Sequence, residues 1–372
     1  MSSQLYIGLI SGTSMDAVDC VLADMSDSMN VIDFINIDIQ KKLKQDILDL
    51  CQENGDNQIK KLGETDVALG RLFANSAISI LEKNQLSAKQ IRAIGTHGQT
   101  IRHQPPEQSD NPFSIQIADP NTIATLTGIT TVADFRRKDI ALGGQGAPLL
   151  PAFHQYIFKN SQTDRIILNI GGMANVTVLL KDNIEITGFD TGPGNILLDS
   201  WIQENSNKSF DKNGDWAATG ESDAELLKFM LDDAYFSRPA PKSTGREYFN
   251  KKWIDNILKN YAKEITAQNV QATLLNLTAT SISQAIKNLI GTGEVIVCGG
   301  GVRNQQLMHY LETQLDSFKV SSSNTYGIDS DALEAFAFAW FAKQTINRKT
   351  LNFTNITGSS RPHILGGIYY PD

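Results

Sequence analysis

The chain has 372 residues, too many for one ordinary core, and its length suggests about two domains. Its 41% hydrophobic and 20% charged content is that of a soluble globular protein, and 41 acidic against 33 basic residues leave a net charge of −8. That balance argues against a nucleic-acid partner, and three scattered cysteines (Cys20, Cys51, Cys298) offer neither a disulfide framework nor a C-x-x-C zinc pattern. No basic leader precedes the first apolar run and no stretch approaches 18 apolar residues, so neither a secretion signal nor a membrane span is expected. The cytoplasm is the expected compartment.

Residues 5–24 (LYIGLISGTSMDAVDCVLAD) form two apolar runs around Ser11-Gly12-Thr13-Ser14-Met15-Asp16, which predicts two strands and a tight loop. Gly12 lets backbone approach a ligand, Thr13 and Ser14 place hydroxyls beside N–H groups, and Asp16 can sit near a hydrated divalent cation. The loop is a candidate phosphate cradle, or a plain hairpin with a polar tip. Residues 31–39 alternate as a half-buried strand does, and helices are expected over 41–52 and 58–84. A strand at 91–94 runs into Gly95-Thr96-His97-Gly98-Gln99-Thr100, where His97 is either a ligand contact or a surface histidine. Strands at 113–118 and 130–133 end at Asp119 and at Asp134-Phe135-Arg136-Arg137. The glycine-rich stretch 142–148 (LGGQGAP) either crosses between domains or is an ordinary loop.

The second half repeats this grammar: a strand at 166–170, the loop Gly171-Gly172-Met173-Ala174-Asn175, a strand at 176–180 and a third at 184–187. A duplicated unit is the economical reading, with two similar domains each offering a small-residue hairpin to the space between them. Asp190 then leaves the third strand into a Gly-Pro-Gly turn, and is either a general base or a turn-stabilising acid. Helices are expected over 250–263 and 273–289. The strand at 294–298 enters Gly299-Gly300-Gly301, a wall bare enough for a purine or ribose, or a tight strand-to-helix turn. A helix over 331–340 carries Asp331 and Glu334 in its first turn, where acids favour the helix dipole.

Eight segments in order, GTSMDAVD (12–19), THGQT (96–100), ADFR (133–136), GGQGAPL (143–149), NIGGMANVT (169–177), GFDTGPGN (188–195), CGGGVRN (298–304) and DALEAFAFA (331–339), resemble the anhydro-N-acetylmuramic acid kinase family. Ala17 departs from the glycine usual in that family, which touches only the local loop geometry. The resemblance implies an α/β chain of two similar domains of the actin-like, ribonuclease H-like ATPase type, with a nucleotide and sugar cleft between them. The expected division is residues 1–133 with 345–372 returning, and residues 134–344.

The implied activity is ATP-dependent opening of the 1,6-anhydro ring of 1,6-anhydro-N-acetylmuramic acid with phosphorylation of O6, in peptidoglycan recycling and amino-sugar catabolism. Asp190 would be the general base. The resemblance sets Gly12, Thr13, Ser14, Met15, Asp16, Ala17, Val18, Asp19, Gly171, Gly172, Asn175, Gly299, Gly300, Gly301, Asn304 and Glu334 against ATP, and Thr96, His97, Asp119 and Arg136 against the sugar. Mg²⁺ is expected with ATP, Asp16 being its candidate ligand, and a homodimer is left open. Another sugar kinase on the same clamp, or a nucleotide-switched binding protein, are the competing readings.

Overall fold

The computed structural model describes residues 4–12, 14–26, 29–52, 57–183, 185–240, 242–261 and 263–372. By internal contacts the chain divides into two units, Met1–Phe153 with Ala332–Asp372, and His154–Asp331. The first opens as an antiparallel meander of β1 (Leu5–Ser11), β2 (Ala17–Asp24) and β3 (Asn30–Asp38). Helices α1 (Lys41–Cys51) and α2 (Gln58–Lys83) follow, and α2 buries Leu69, Phe73, Ala77 and Ile80 along one stripe. Strand β4 (Ile91–Thr96) pairs parallel with β1, while β5 (Gln99–Gln104) and β6 (Phe113–Ile117) form a separate ribbon. Then come α3 (Pro120–Thr127), β7 (Thr131–Ala133) parallel to β4, α4 (Arg137–Ala141) and α5 (Leu150–Phe158), within which the division falls.

The second unit begins with β8 (Arg165–Ile170), β9 (Met173–Leu179) and β10 (Thr187–Pro193), again an antiparallel meander. After it come α6 (Ile196–Ser206), α7 (Ala224–Leu231), α8 (Ala234–Ser237), α9 (Lys251–Tyr261) and α10 (Ala267–Lys287). Strand β11 (Gly293–Cys298) is parallel to β8, and after α11 (Gln305–Gln314) β12 (Phe318–Ser322) is parallel to β11. Helix α12 (Leu333–Ile346) and β13 (Gly367–Tyr369) return to the first unit, β13 pairing antiparallel with β7.

The sheet orders are β13-β7-β4-β1-β2-β3 and β10-β9-β8-β11-β12. With β13 set aside, both place a three-stranded meander beside two parallel strands in the same order, so the duplicated α/β fold of the actin-like ATPase type is present. Each unit has its own core. Ile7, Leu9, Cys20, Phe73 and Ile94 belong to one, and Ile166, Val176, Phe249, Leu274 and Val297 to the other. Among the described residues no helix is long and apolar enough to cross a membrane.

Helix α12 buries residues on every side, as a helix enclosed by protein rather than laid on a surface does. It lies so close to β1 and β4 that a Cβ on Gly8 or Gly95 would overlap the carbonyls of Ala335 and Phe338. This contact explains why the first unit resumes at Ala332 and not at 345. The stretch 142–148 likewise stays inside that unit instead of crossing out of it. The buried Asp139 carboxylate accepts from Gly146 N (2.8 Å) and Thr357 Oγ1 (2.7 Å), and Gln145 N donates to Thr357 O (2.9 Å).

Three elements differ from expectation. The third strand of the second unit was expected at 184–187; Ile184 lies outside the described residues, and the strand observed is β10, which extends through Pro193. Glycines and a proline weaken strand propensity, but β10 is an edge strand and pairing with β9 decides its course. The hairpin loop of this unit shrinks to Gly171-Gly172, because Met173, Ala174 and Asn175 already belong to β9. Helix α12 starts at Leu333, leaving Asp331 before it as the ion-pair partner of Arg303.

Candidate active site

Asp190 sits inside β10 rather than at a strand end, opposite Asn175 of β9, where the pairing register shifts before Gly192. Such a bulge re-aims a side chain without breaking the strand. Three bonds fix the residue. Asp190 N donates to Lys242 O (3.0 Å), the Tyr235 hydroxyl donates to Asp190 O (2.7 Å), and Thr244 N donates to Oδ2 (3.0 Å). Oδ1 makes no hydrogen bond among the described residues. Burial pushes the carboxyl up to about 6, helped by the charge of Glu247 and opposed by the Thr244 amide. A half-buried acid that titrates close to neutrality is suited to take a proton. The residues that hold it, Tyr235, Lys242 and Thr244, were not singled out by sequence; a polar Pro/Gly loop carries no local sign of what it will cover.

Around the two-glycine tip the backbone is tightly closed. Gly172 O accepts from Gly194 N (2.9 Å) and Ile196 N (3.1 Å), and Gly171 O from Asn195 N (2.8 Å), so the hairpin carbonyls cap the start of α6. Of the glycines after β11, two are required by the protein itself. A Cβ on Gly299 would overlap the Asn169 amide and one on Gly301 the Ile170 side chain, whereas Gly300 faces open space. The bare wall therefore reduces to Gly300. Asn304 is buried and caps α11, its Oδ1 accepting from Leu307 N (3.0 Å).

The tip between β1 and β2 presents Gly12, Ser14 and Asp16, with Thr13 outside the described residues. Met15, at φ 55°, turns into the core with Val18, and Ala17, Val18 and Asp19 belong to β2. Asp16 is ion-paired with Lys44 at 2.5 Å and its side chain is 70% exposed. No group of three His, Cys, Asp or Glu side chains among the described residues could hold a metal ion. A lone exposed carboxylate already matched by an ammonium does not form a ready magnesium site.

In the first unit Arg136 Nε donates to His97 Nε2 (3.0 Å) and Nη1 to Gly146 O (2.8 Å). The His97 proton must then be on Nδ1, which lies 3.1 Å from Gly98 O, and the ring packs on Phe338 at 4.8 Å. Burial and the neighbouring guanidinium hold His97 well below the usual histidine range, so it is neutral and orients Arg136. Desolvation lowers Arg136 to about 10, against the charges of Glu334 and Asp139, and it stays cationic at neutral pH. The Glu334 charge thus acts on the arginine expected at the sugar. Thr96 Oγ1 is buried and has no hydrogen-bond partner among the described residues. Asp119 is committed elsewhere: each of its oxygens accepts two bonds from Asn121 or Thr122, capping α3.

Comparison with known proteins gives the family. A family model described as anhydro-N-acetylmuramic acid kinase matches residues 4–371. An anhydro-N-acetylmuramic acid kinase of Coxiella burnetii (strain Dugway 5J108-111) is 48% identical over 372 residues, covering 100% of this chain and 98% of its own. One of Shewanella halifaxensis (strain HAW-EB4) is 47% identical over 373 residues and covered completely in both chains. With nearly every residue matched and close to half of them identical, the chain belongs to the anhydro-N-acetylmuramic acid kinase family.

Proposed function

We propose that this chain is an ATP-dependent kinase that adds water to 1,6-anhydro-N-acetylmuramic acid and phosphorylates O6, giving N-acetylmuramic acid 6-phosphate and ADP. Membership of the family supports the reaction. The observation that carries the mechanism is the Asp190 carboxylate, raised to about 6 with Oδ2 tied to Thr244 N and Oδ1 left unbonded among the described residues. Oδ1 takes a proton from water as the water oxygen bonds to C1. The C1–O6 bond breaks with its electron pair on O6, O6 takes the γ-phosphoryl group of ATP, and ADP departs. A glycosidase normally adds a second carboxylic acid to protonate the leaving oxygen. Here the phosphoryl group captures that charge, so one base suffices.

Arg136, oriented by His97, is the cation proposed for the lactyl carboxylate of the sugar, with the Thr96 hydroxyl, which has no partner among the described residues, as a second contact. The tips at Gly12, Thr13 and Ser14 and at Gly171-Gly172, with Gly300, are proposed for the nucleotide. Asp16 with its Lys44 partner is a poor ready-made ligand for Mg²⁺, so no step is assigned to that ion. The setting that fits this substrate is cytoplasmic peptidoglycan recycling.

The test is turnover with ATP and the anhydro sugar in ¹⁸O-water. Label at the C1 hydroxyl, phosphate on O6 and a product heavier than the sugar by phosphoryl plus water are expected. A gain of phosphoryl alone would remove the ring opening, and ATP consumption indifferent to the sugar would remove the substrate.

A further inference from the structure

The segment 242–247 does more around Asp190 than close a loop. It supplies the carbonyl of Lys242 and the amide of Thr244, which bond the backbone and one carboxylate oxygen of the same residue at 3.0 Å each. Three residues after Thr244, the Glu247 carboxylate folds back over Gly245, occupying the place where a Cβ would stand. Glu247 is exposed and makes no ion pair among the described residues.

The other charged and titratable groups near Asp190 are turned to different tasks. The Lys242 ammonium donates to the carbonyls of Tyr235 and Phe236 (3.1 and 3.2 Å) and lies 4.6 Å over the Tyr235 ring. The Arg238 guanidinium lies over the rings of Tyr235 and Tyr248, at 5.7 and 6.0 Å. Asp233 accepts from the Tyr248 hydroxyl (2.7 Å) and the Trp253 indole (2.8 Å), and the Tyr235 hydroxyl bonds the Asp190 carbonyl, not its carboxylate. The neighbours that act on the carboxylate itself are the Thr244 amide and the Glu247 charge, in opposite senses.

We propose that this segment is the holder of the base, with Thr244 and Glu247 as positioning residues. The Thr244 amide fixes Oδ2, so that Oδ1 alone is left to take the proton of the attacking water, and the unpaired Glu247 carboxylate keeps that oxygen basic. The proposal rests on the reading of Asp190 as the base.

The experiment is the pH dependence of kcat/KM for the full chain with ATP and the anhydro sugar. Glu247→Gln should move the acid limb to lower pH by on the order of 0.5, the scale of one partly screened like charge. At pH 5 the rate relative to its plateau then rises about two- to threefold. Gly245→Ala should do the same, since its Cβ displaces only the end of the Glu247 side chain. Thr244→Pro, which lacks the N–H, should move the limb to higher pH; general damage to the fold would not give opposite directions. An acid limb unmoved by Glu247→Gln and Gly245→Ala, with Asp190→Asn inactive, overturns the holder and leaves the base standing. Full turnover by Asp190→Asn overturns both.

Discussion

A carboxylate drawn out of water loses hydration that few bonds replace, and at Asp190 a single amide bond to Oδ2 leaves the carboxyl raised to about 6. Because the folded value lies above the ordinary one, the fold favours the neutral acid. That contribution to stability is complete below about pH 4 and is lost as pH rises through 6. Asparagine is neutral throughout and can still accept from Thr244 N. Asp190→Asn should therefore stabilise the second unit at pH 8 by up to about 3 kcal/mol, with the difference vanishing toward pH 4 in thermal melts at the two pH values. The same change should lower kcat by roughly 10² to 10⁴. A variant both more stable and nearly inactive is the mark of an acid kept for chemistry; equal melting at all pH values would show that Asp190 is well solvated.

Helix α12 shows how one element constrains another. The bare faces of Gly8 and Gly95 let it sit directly on β1 and β4, and its first turn brings Glu334 toward Arg136. Gly95→Ala should push the helix outward and cost about 3 kcal/mol, read as a loss of stability in urea unfolding, whereas Gly12→Ala, with nothing within 4 Å, should change stability by less than about 0.5 kcal/mol. The elements legible in the sequence are those whose own pattern decides them. Alternation gave β3, an apolar stripe gave α2, and apolar runs flanking small residues gave β1, β2, β8 and β9. Strand β10 was placed too early because Gly188, Gly192 and Pro193 argue locally against a strand while β9 imposes one. The chemistry types were legible too, since Asp190 and Arg136 stand out by charge and setting. What surrounds them was not: Thr244 lies 54 positions from Asp190, and Glu334 comes near Arg136 only through the packing of α12.

In the molecule as a whole, the repeated order of strands was legible as a duplication, but the boundaries were not. They depend on bonds such as Thr357 to Asp139, which spans 218 positions and leaves no trace in either neighbourhood. Removing residues 347–372 would take away β13, the buried Phe353 and the hydroxyl bonded to the buried Asp139 carboxylate. The expected result is a first unit that is readily cleaved in limited proteolysis while the stretch around His154–Asp331 survives. Equal resistance of both would mean that the C-terminal segment is dispensable for the first unit.

That division has a consequence for how the protein is made. The ribosome releases β1 and β4 early, but α12, which covers them, follows only after the whole second unit has been synthesised. At ordinary elongation rates the nascent sheet waits roughly ten to forty seconds with one apolar face uncovered. During that interval its sticky side is open to holdase chaperones, and slowing translation before Ala332 should lengthen the wait and lower the soluble yield.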